Sequence, residues 1–475
     1  MSHTKQTDLL LHAIILAAGQ GTRMRSAQAK VLHPILGRTM IEHTLALLHP
    51  LGVSCAAVVL GHQADAVETA IRTSRLVLPT IRFAHQPEQK GTADAVRCGL
   101  QVLPELAETG GRVLILYGDT PLLTADTLRQ LLEQTTGELG LLSTILDDPT
   151  GYGRLIRQDH KPARIVEHKD ASQAERAVHE VNAGMYVVDA AFLGHSLRQV
   201  RQSGQTRELY LTSLVEMAVA QGLQVAAVSA PAQEVLGVND RSDLALATTL
   251  WRQRQNRAHM LAGVTLHDPA TTSIDMTVTV APDVELFGGV QLRGDTHIET
   301  GCVIDQGCIL HNVVVQAGTH LRPYTVATDS RIGPACQVGP FSHLRPGSVL
   351  CEQVHIGNFV ELKKTRIGPG SKANHLTYLG DATLGAKVNV GCGTITCNYD
   401  GVAKHPTFIE DGAFIGSDSQ LVAPVRVGRN AIIAAGTTVT HDVPEGALAV
   451  SRVPQKDRPG AAALLRKRFS ARKPL

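Results

Sequence analysis

Aromatic residues are scarce in this sequence of 475 residues: Phe, Tyr and Trp together make up 3%, and there is a single Trp. A core built almost without aromatic rings must rely on Val, Ile, Leu and Ala, which suits thin, regularly layered architectures. Long apolar runs are also missing. No stretch approaches the ~20 apolar residues that a membrane-spanning helix needs, and Met1–Leu10 lacks the apolar region of a signal peptide. We therefore expect a cytoplasmic protein that does not act in a membrane.

The sequence also lacks a strong net charge and a metal-binding cysteine pattern. The formal net charge is +2, which gives no reason to expect a nucleic-acid partner. The 8 Cys residues include no C-x-x-C pair, and the closest pairs, Cys302/Cys308 and Cys392/Cys397, have spacings that match none of the common zinc patterns. We expect small filler residues in a reducing compartment, without a structural metal. The chain length predicts two or three domains.

The first part of the chain, residues 1–240, alternates short apolar runs with amphipathic stretches. The apolar runs typical of buried strands are His12–Ala17, Ala56–Leu60 and Val113–Tyr117, and the helical patterns between them include Met40–His49 and Thr92–Leu103. This alternation predicts an α/β Rossmann-like domain, with a mostly parallel sheet covered by helices on both faces. Because ligands of such sheets bind at the carboxyl ends of the strands, the residues after each strand are candidates for a site.

A linker helix is predicted at residues 241–263, and beyond it the hydrophobic period changes to six. Aliphatic residues lie six apart in three runs: Ile274, Val280, Leu286, Leu292, Ile298, Ile304 and Leu310; Val326, Ile332, Val338, Leu344, Leu350, Ile356 and Leu362; and Ile409, Ile415, Leu421, Val427, Ile433 and Val439. Six residues of α-helix turn through about 600°, so an α-helix cannot keep such a stripe on one face. A coil made of short flat faces, each pointing one aliphatic side chain inward, accommodates a period of six. Residues 264–450 are therefore predicted to form a left-handed parallel β-helix of hexapeptide repeats.

The register breaks near residues 311–326, 363–384 and 392–409, and such insertions are where a solenoid collects binding groups. The chain closes with a C-terminal tail, residues 451–475, that carries five basic residues in its last ten. A frayed, solubilising tail is the simpler interpretation of this segment. A nucleic-acid arm is the weaker alternative, and contact with an anionic cofactor is a further one.

A glycine-rich loop, Leu16–Met24, follows the first predicted strand directly. Small residues let such a loop close on a ligand, and its successive N–H groups can hold phosphate or a base edge. The loop lacks the Gly-Lys-[Ser/Thr] ending of a Walker loop and the third glycine of a dinucleotide fingerprint. Arg23 and Lys30 add cations suited to a polyphosphate. The pattern therefore favours a nucleotide.

The loop resembles the signature of the sugar-phosphate nucleotidyltransferases. The likeness continues through Gln86–Thr92, Tyr117–Pro121, Gly151–Arg154, Ile165–Asp170, Glu180–Gly184 and Gly237–Asp240. Joined in this order to a hexapeptide β-helix, these strings resemble the bacterial family of bifunctional N-acetylglucosamine-1-phosphate uridylyltransferases/glucosamine-1-phosphate N-acetyltransferases. The resemblance covers roughly residues 11 to 455, and it implies a homotrimer built through the β-helix.

At the first site the resemblance implies uridylyl transfer from UTP to N-acetylglucosamine-1-phosphate, with release of pyrophosphate. It assigns Mg²⁺ to Asp119 and Asn239, and charge stabilisation to Arg23 and Lys30 as catalytic residues. The residues expected to contact UTP or the sugar phosphate are Leu16, Ala17, Ala18, Gly19, Lys30, Gln86, Gly91, Thr92, Tyr117, Gly118, Asp119, Gly153, Glu167, Asn182 and Asn239. Gln20, Lys90 and Asp94 are expected to be surface or local-structure residues.

At the second site the resemblance implies acetyl transfer from acetyl-coenzyme A to glucosamine-1-phosphate, which precedes uridylylation. The string His375–Asp381 carries the proposed base, His375, because histidine side chains generally titrate near neutral pH. The acceptor would contact Arg345, Lys363, Tyr378, Asn389 and Lys404. Acetyl-coenzyme A would contact Cys392, Asn398, Tyr399, Ser417, Ala435 and Arg452, with Asn398 and Tyr399 also completing the acceptor pocket.

Two residues depart from the family pattern: Cys392 stands where Ala is common, and Ala403 where Asn is expected. A small filler is the simpler interpretation of Cys392, although a nucleophile at this place is conceivable. Three other functions compete with this interpretation, and the matching polar strings between residues 345 and 452 argue against the first of them. The β-helix could only oligomerise the enzyme, the chain could be a non-catalytic scaffold, or the sites could take another nucleotide or acyl group. A scaffold would be expected to lack Lys30, Asp119 or Asn239, and all three are present.

Overall fold

The structure is a computed structural model that describes residues 10–106, 110–202 and 207–470. Most of the leading segment and the last five residues of the basic tail therefore lie outside the described residues. Contacts divide the chain into two compact units, and the division falls between Gln255 and Asn256, inside one long helix. Within the described ranges, no helix has both the length and the apolar composition needed to cross a membrane.

The first unit is built on a nine-stranded sheet. The strands of this unit, including the small hairpin of β2 and β3, are β1 Leu11–Ala17, β2 Pro34–Ile35, β3 Arg38–Thr39, β4 Cys55–Leu60, β5 Thr80–His85, β6 Arg112–Tyr117, β7 Leu139–Ile145, β8 Arg154–Gln158, β9 Lys161–Val166, β10 Glu180–Asp189 and β11 Val225–Ser229. The sheet order is β11-β7-β10-β6-β1-β4-β5, and the β8–β9 hairpin pairs with β10. β1 is parallel to β4 and β6, whereas β10 is antiparallel to β6 and β7. The predicted α/β Rossmann-like fold, mostly but not wholly parallel, is confirmed.

Side chains of β1 show how the sheet is buried on both faces. Ile14 and Leu16 pack in one hydrophobic cluster, and Ile15 and Ala17 pack in the cluster on the opposite face. This alternation follows from the two-residue period of a strand. It explains why the sequence of β1 is continuously apolar, and it leaves only the strand ends free for polar chemistry.

The α-helices that the structure bounds within the described residues are Met40–Leu45, Ala64–Arg72, Thr92–Gln101, Ala125–Gln134, Gln173–Arg176, Ala190–Leu197, Ser213–Ala220, Arg241–Leu261 and Ala461–Ser470. The first is shorter than the predicted Met40–His49, because the bonding tightens after Leu45 to i→i+3 hydrogen bonds, from Leu47 N–H to Thr44 and from Leu48 N–H to Leu45, and a 3₁₀ turn, His49–Leu51, follows and ends at Gly52. The last is a helix where a frayed tail was expected, and its Leu464 and Phe469 side chains are exposed.

The second unit is the predicted left-handed parallel β-helix. One sheet contains Thr265–Leu266, Glu285–Leu286, Val303–Ile304, His320–Leu321, Gln337–Val338, His355–Asn358, Lys372–His375, Asn389–Val390, Phe414–Ile415, Ile432–Ile433 and Leu448–Ala449. The other contains Ser273–Ile274, Thr279–Val280, Gln291–Arg293, His297–Ile298, Ile309–Val315, Val326–Ile332, His343–Leu344, Val349–Leu350, Glu361–Lys363, Arg366–Ile367, Tyr378–Gly380, Ala382–Leu384, Ile395–Cys397, Thr407–Ile409, Gln420–Val422, Val425–Val427 and Thr438–Val439. Every strand pairs in parallel with a strand of an adjacent coil.

The hexad residues form the axial core of this unit, and almost all of them are fully buried. Val326 is the exception on the second run. It is half-buried, and its neighbour Ala327 points inward instead. The longer strand Val326–Ile332 therefore shortens the spacing between Ala327 and the next inward residue, Ile332, from six residues to five. Each fully buried aliphatic side chain contributes ~1.5–3 kcal/mol, so the regular core needs no aromatic rings.

Candidate active sites

The glycine loop after β1 is closed by a tight contact with Lys30. Gly21 has a φ of +62°, the left-handed region that favours glycine, and it precedes the 3₁₀ turn Thr22–Met24. A Cβ placed on Gly21 would lie 2.6 Å from the Cβ of Lys30. The absence of a side chain at Gly21 therefore lets the Lys30 side chain pass beside the loop.

A cavity of about 300 Å³ opens beside this loop at the carboxyl ends of β1 and β6. Its lining includes these residues predicted for the nucleotide: Leu16, Ala17, Ala18, Gly19, Lys30, Gln86, Gly91, Thr92, Tyr117 and Asp119. Gly91 has a φ of +120°, and a Cβ there would lie 2.5 Å from the backbone oxygen of Leu209. Only glycine fits this turn, so the backbone at Gly91 is fixed beside the cavity.

A second cavity, of about 410 Å³, shares Thr92, Tyr117 and Asp119 with the first. Of the residues predicted for the sugar phosphate and the catalytic groups, it adds Arg23, Gly153, Glu167, Asn182 and Asn239. The Thr212 hydroxyl donates to Glu167 Oε1 at 3.0 Å, while burial raises the pKa of Glu167. Two joined cavities match a ligand pair in which a nucleotide and a sugar phosphate lie side by side.

Four polar side chains meet where the cavities join. The Lys30 ammonium forms an ion pair with Asp119 and lies 3.4 Å from Asn239 Oδ1. Arg23 Nη2 donates to the same Asn239 oxygen at 2.9 Å. The Asp119 carboxylate oxygen and the Asn239 amide oxygen thus face the same point, which the Lys30 ammonium occupies in this structure. Oxygen donors of this kind suit Mg²⁺. The oxygens of Asp119 and Asn239 therefore fit the ion that the family resemblance implies there.

Some residues at this site had no role in the sequence prediction. Gln89 donates to the backbone oxygen of Ala18 at 2.6 Å, and Tyr152 and Thr212 line the second cavity. The Gly151–Arg154 string gave a signal for Tyr152, whereas nothing local in the sequence marks Thr212. Asp94 is buried and accepts a hydrogen bond from Gln86, although it was expected to be a surface or local-structure residue.

Gly118 lies behind the site. It is absent from the linings of both cavities. A Cβ there would lie 2.7 Å from Cδ1 of Ile41. The structure therefore gives Gly118 a packing role, between the sheet and the helix Met40–Leu45.

Among the described residues, no three His, Cys, Asp or Glu side chains are grouped so that they could hold a metal ion. Asp119 and Asn239 supply only one carboxylate and one amide. Such a pair suits an ion that takes its other ligands from phosphate and water.

In the β-helix, His375 ends a strand and faces the amide oxygen of Asn358, with its Nδ1 at 3.0 Å. The parallel register pairs Asn358 with His375 and Ala373 with Val390, and it continues by pairing Val390 with Ile415 and Ile415 with Ile433. Two residues beyond Ala373, Val390, Ile415 and Ile433, the same register aligns His375, Cys392, Ser417 and Ala435 in successive coils. We call these four residues the histidine column. Three residues predicted for acetyl-coenzyme A thus share one edge with the predicted base.

Three cations predicted for the acceptor also come together: Arg345 and Lys363, which were expected to hold its phosphate, and Lys404, which was expected to complete the pocket. Register aligns Arg345 with Lys363 in the next coil, because Leu344 pairs with Leu362. The neighbouring Lys404 ammonium, together with burial and Arg345, lowers the pKa of Lys363, whereas Asp381 at 4.0 Å raises it. Like charges held this close repel one another, and a bound anion relieves that repulsion. The cluster is therefore suited to a phosphate.

The remaining predicted acceptor and donor residues surround this cluster. A Cβ on Gly380 would lie 2.4 Å from the Tyr378 hydroxyl and 2.8 Å from Asn398 Nδ2, so Tyr378 and Asn398 meet over Gly380. Tyr399 pairs with Lys404 in a short antiparallel bridge. Asn389 begins the strand that pairs with the His375 strand in the next coil, and Arg452 packs beside Gly436, next to Ala435.

The departure at Ala403 falls in a turn organised by Asp400. The backbone N–H groups of Val402 and Ala403 donate to Asp400 Oδ1 at 2.8 and 2.7 Å, and His405 Nε2 lies 2.7 Å from the other oxygen. These bonds lower the pKa of Asp400. Because residue 403 contributes its backbone, alanine at this place keeps the turn that positions Lys404.

Comparison with protein-family models gives matches in both units. Residues 13–156 match the MobA-like NTP transferase domain. Residues 272–394 match the GMPPB C-terminal domain, and residues 406–441 match the bacterial transferase hexapeptide model of six repeats. A nucleotidyltransferase and a hexapeptide transferase therefore share this chain, in agreement with the sites described above.

Full-length relatives carry the same arrangement. The bifunctional protein GlmU of Trichlorobacter lovleyi is 49% identical over 453 residues, which cover 94% of this chain and 97% of the relative. The bifunctional GlmU proteins of Pelobacter propionicus and Exiguobacterium sp. are 47% and 46% identical over 94% of this chain. The recognition made from sequence is confirmed: the chain belongs to the bifunctional GlmU family of uridylyltransferases and acetyltransferases.

Proposed function

We propose that the first unit binds UTP, N-acetylglucosamine-1-phosphate and Mg²⁺ in the two joined cavities and transfers the uridylyl group between them. The observation that carries this proposal is the convergence of Lys30, Arg23, Asp119 and Asn239 at the junction. A phosphate oxygen of the sugar phosphate attacks the α-phosphorus of UTP, and the bond from that phosphorus to the bridging oxygen breaks as pyrophosphate leaves. Phosphoryl-type transfer needs positioning and charge neutralisation, which these side chains supply.

Each group at the junction has a defined task. Asp119 and Asn239 would hold Mg²⁺, which neutralises phosphate charge when bound. Lys30 and Arg23 contact those same oxygens in this structure, so they are within reach of a triphosphate bound there. Glu167 and Asn182 line the part of the second cavity suited to sugar hydroxyls. Gln86 and Gly91 border the part of the first cavity suited to the base.

We further propose that the β-helix transfers an acetyl group from acetyl-coenzyme A to the amine of glucosamine-1-phosphate, ahead of uridylylation. With Nδ1 of His375 donating to the Asn358 amide oxygen, Nε2 is the acceptor for a proton. As the amine attacks the thioester carbonyl, Nε2 takes the amine proton; the carbon–sulfur bond then breaks, and the proton passes from Nε2 to the departing sulfur, so the coenzyme leaves as the thiol. Arg345, Lys363 and Lys404 would hold the sugar phosphate.

A homotrimer formed through the β-helix is part of the same proposal. Beside the histidine column runs an exposed apolar column of Tyr324, Phe341, Phe359 and Leu376 in successive coils. The Tyr324 and Phe341 rings stack at 5.2 Å between centroids, and the Phe341 and Phe359 rings at 5.5 Å. An apolar strip of this kind marks a contact surface. A second copy seated on it would lie against the histidine column and complete the acetyl site.

Reciprocal substitutions test the two-site proposal. His375→Ala should lower acetyl transfer by roughly 10²–10⁴-fold, the usual contribution of a general base, and leave uridylyl transfer intact. Asp119→Ala should do the reverse. Thiol release from acetyl-coenzyme A and pyrophosphate release from UTP are measured in parallel on the same preparations. Loss of both activities in either folded variant would refute separate sites.

A further inference from the structure

The side chain of Gln86 is held at both of its N–H bonds. Its Nε2 donates to the backbone oxygen of Gly91 at 3.1 Å and to Oδ2 of Asp94 at 2.9 Å. A carbonyl and a carboxylate can only accept, so the NH₂ end of the amide must face both partners. The amide oxygen of Gln86 is then the group left to meet a ligand in the first cavity, which Gln86 lines.

Both partners of the Gln86 amide are held in place. Asp94 is only 7% exposed and lies in the first turn of the helix Thr92–Gln101, where it also pairs with Arg97. Gly91 is confined by the backbone of Leu209, as described above. Rotation of the Gln86 amide would place its oxygen against two other acceptors, which costs two hydrogen bonds and adds repulsion.

We propose that Asp94 is a positioning residue that makes the uridylyl site select uracil over cytosine, by fixing the Gln86 amide with its acceptor toward the base. Uracil presents an N3–H donor between two carbonyl oxygens, whereas cytosine presents an N3 acceptor beside an amino group. A fixed acceptor pairs with the first pattern and opposes the second. This inference rests on the proposed binding of UTP and adds to it the residue that sets base choice.

Asp94→Asn is the decisive substitution. Asparagine keeps the shape of aspartate but can donate as well as accept a hydrogen bond. In this variant the Gln86 amide can therefore rotate by half a turn and lose only its hydrogen bond to Gly91. One such bond corresponds to about a tenfold change in preference. The ratio of kcat/KM for UTP to that for CTP should therefore fall by about tenfold. Asp94→Ser has a smaller side chain that can also either donate or accept a hydrogen bond. It replaces Asp94→Asn in the experiment if the asparagine variant fails to fold.

A matched control separates base choice from helix stability. Asp126 also lies in the first turn of a helix, Ala125–Gln134, and pairs with an arginine three residues on, Arg129. Asp126→Asn should leave the UTP-to-CTP ratio unchanged. A purely structural role for Asp94 would lower the rates with both nucleotides equally, and an unchanged ratio in folded Asp94→Asn or Asp94→Ser would overturn the inference. A wild-type protein that releases no pyrophosphate from UTP would instead refute the proposed function itself.

Discussion

Replacing Gly21 by alanine should disable the uridylyl site while the acetyl site keeps working. The new Cβ would lie 2.6 Å from the Cβ of Lys30, and ordinary contact begins near 3.4 Å. The Lys30 backbone or the loop must therefore move by about 0.8 Å. Misplacement of a reacting group by about 1 Å can cost 10²-fold in rate, so pyrophosphate release should fall by about 100-fold.

Gly52→Ala supplies a control for backbone strain. Gly52 has a φ of +72°, close to the +62° of Gly21, but among the described residues no heavy atom lies within 4 Å of its added Cβ. Both variants should lose about 1–2 kcal/mol from the left-handed backbone conformation. Only Gly21→Ala should lose uridylyl transfer beyond that common effect.

Both activities and the urea midpoint are measured for the two glycine variants. Thiol release from acetyl-coenzyme A should stay at the wild-type rate in both, because the acetyl residues belong to the other unit. Equal pyrophosphate release by Gly21→Ala and Gly52→Ala would show that Lys30 is not positioned by this contact, and the reasoning would be wrong.

Three other perturbations test separate features. Asn358→Ala removes the partner of His375 Nδ1 and should lower kcat for acetyl transfer by about tenfold at unchanged KM; unaltered kcat would show that Asn358 does not orient the base. Phe341→Glu puts a charge into the apolar column, so sedimentation should show monomers that keep uridylyl transfer but lose acetyl transfer; an intact trimer would place the interface elsewhere. Burial lowers the pKa of His43 to about 4, so the unfolded chain binds a proton between pH 6.5 and 4 that the folded chain refuses. Stability should fall by up to about 3 kcal/mol as the pH falls through this window. His43→Phe should remove that loss of stability. Unfolding is monitored by the fluorescence of Trp251, whose ring lies 4.7 Å from that of His43. Equal pH dependence of stability in both proteins would exclude His43 as the cause.

Periodicity determined the β-helix before any coordinates. A six-residue repeat of aliphatic side chains fits neither an α-helix nor a two-residue strand alternation, so local pattern and architecture are linked directly. The same reasoning failed where the repeat is locally shortened. Whether Val326 or Ala327 points inward depends on how the chain passes from one coil to the next. The inward direction of a side chain at such a passage depends on how neighbouring coils stack, so the sequence of one coil does not determine it.

The glycine loop and the strings after each strand were likewise predictable from the sequence, because together and in this order they resemble the motif set of one family. The role of Asp94 could not be predicted from the sequence. An acid in the first turn of a helix is ordinary, and its meaning arises only because β5 delivers Gln86 to the same place.

The sequence by itself thus determined the two architectures and their order, since these depend on local patterns of burial, and its resemblance to a known family indicated the residues of each site. The tertiary structure alone decided several contacts between side chains: those of Lys30 and Arg23 with Asn239, that of His375 with Asn358, and those that fix Gln86. Those contacts join residues from different strands and coils. They depend on strand order, register and side-chain direction, which the local sequence does not encode separately.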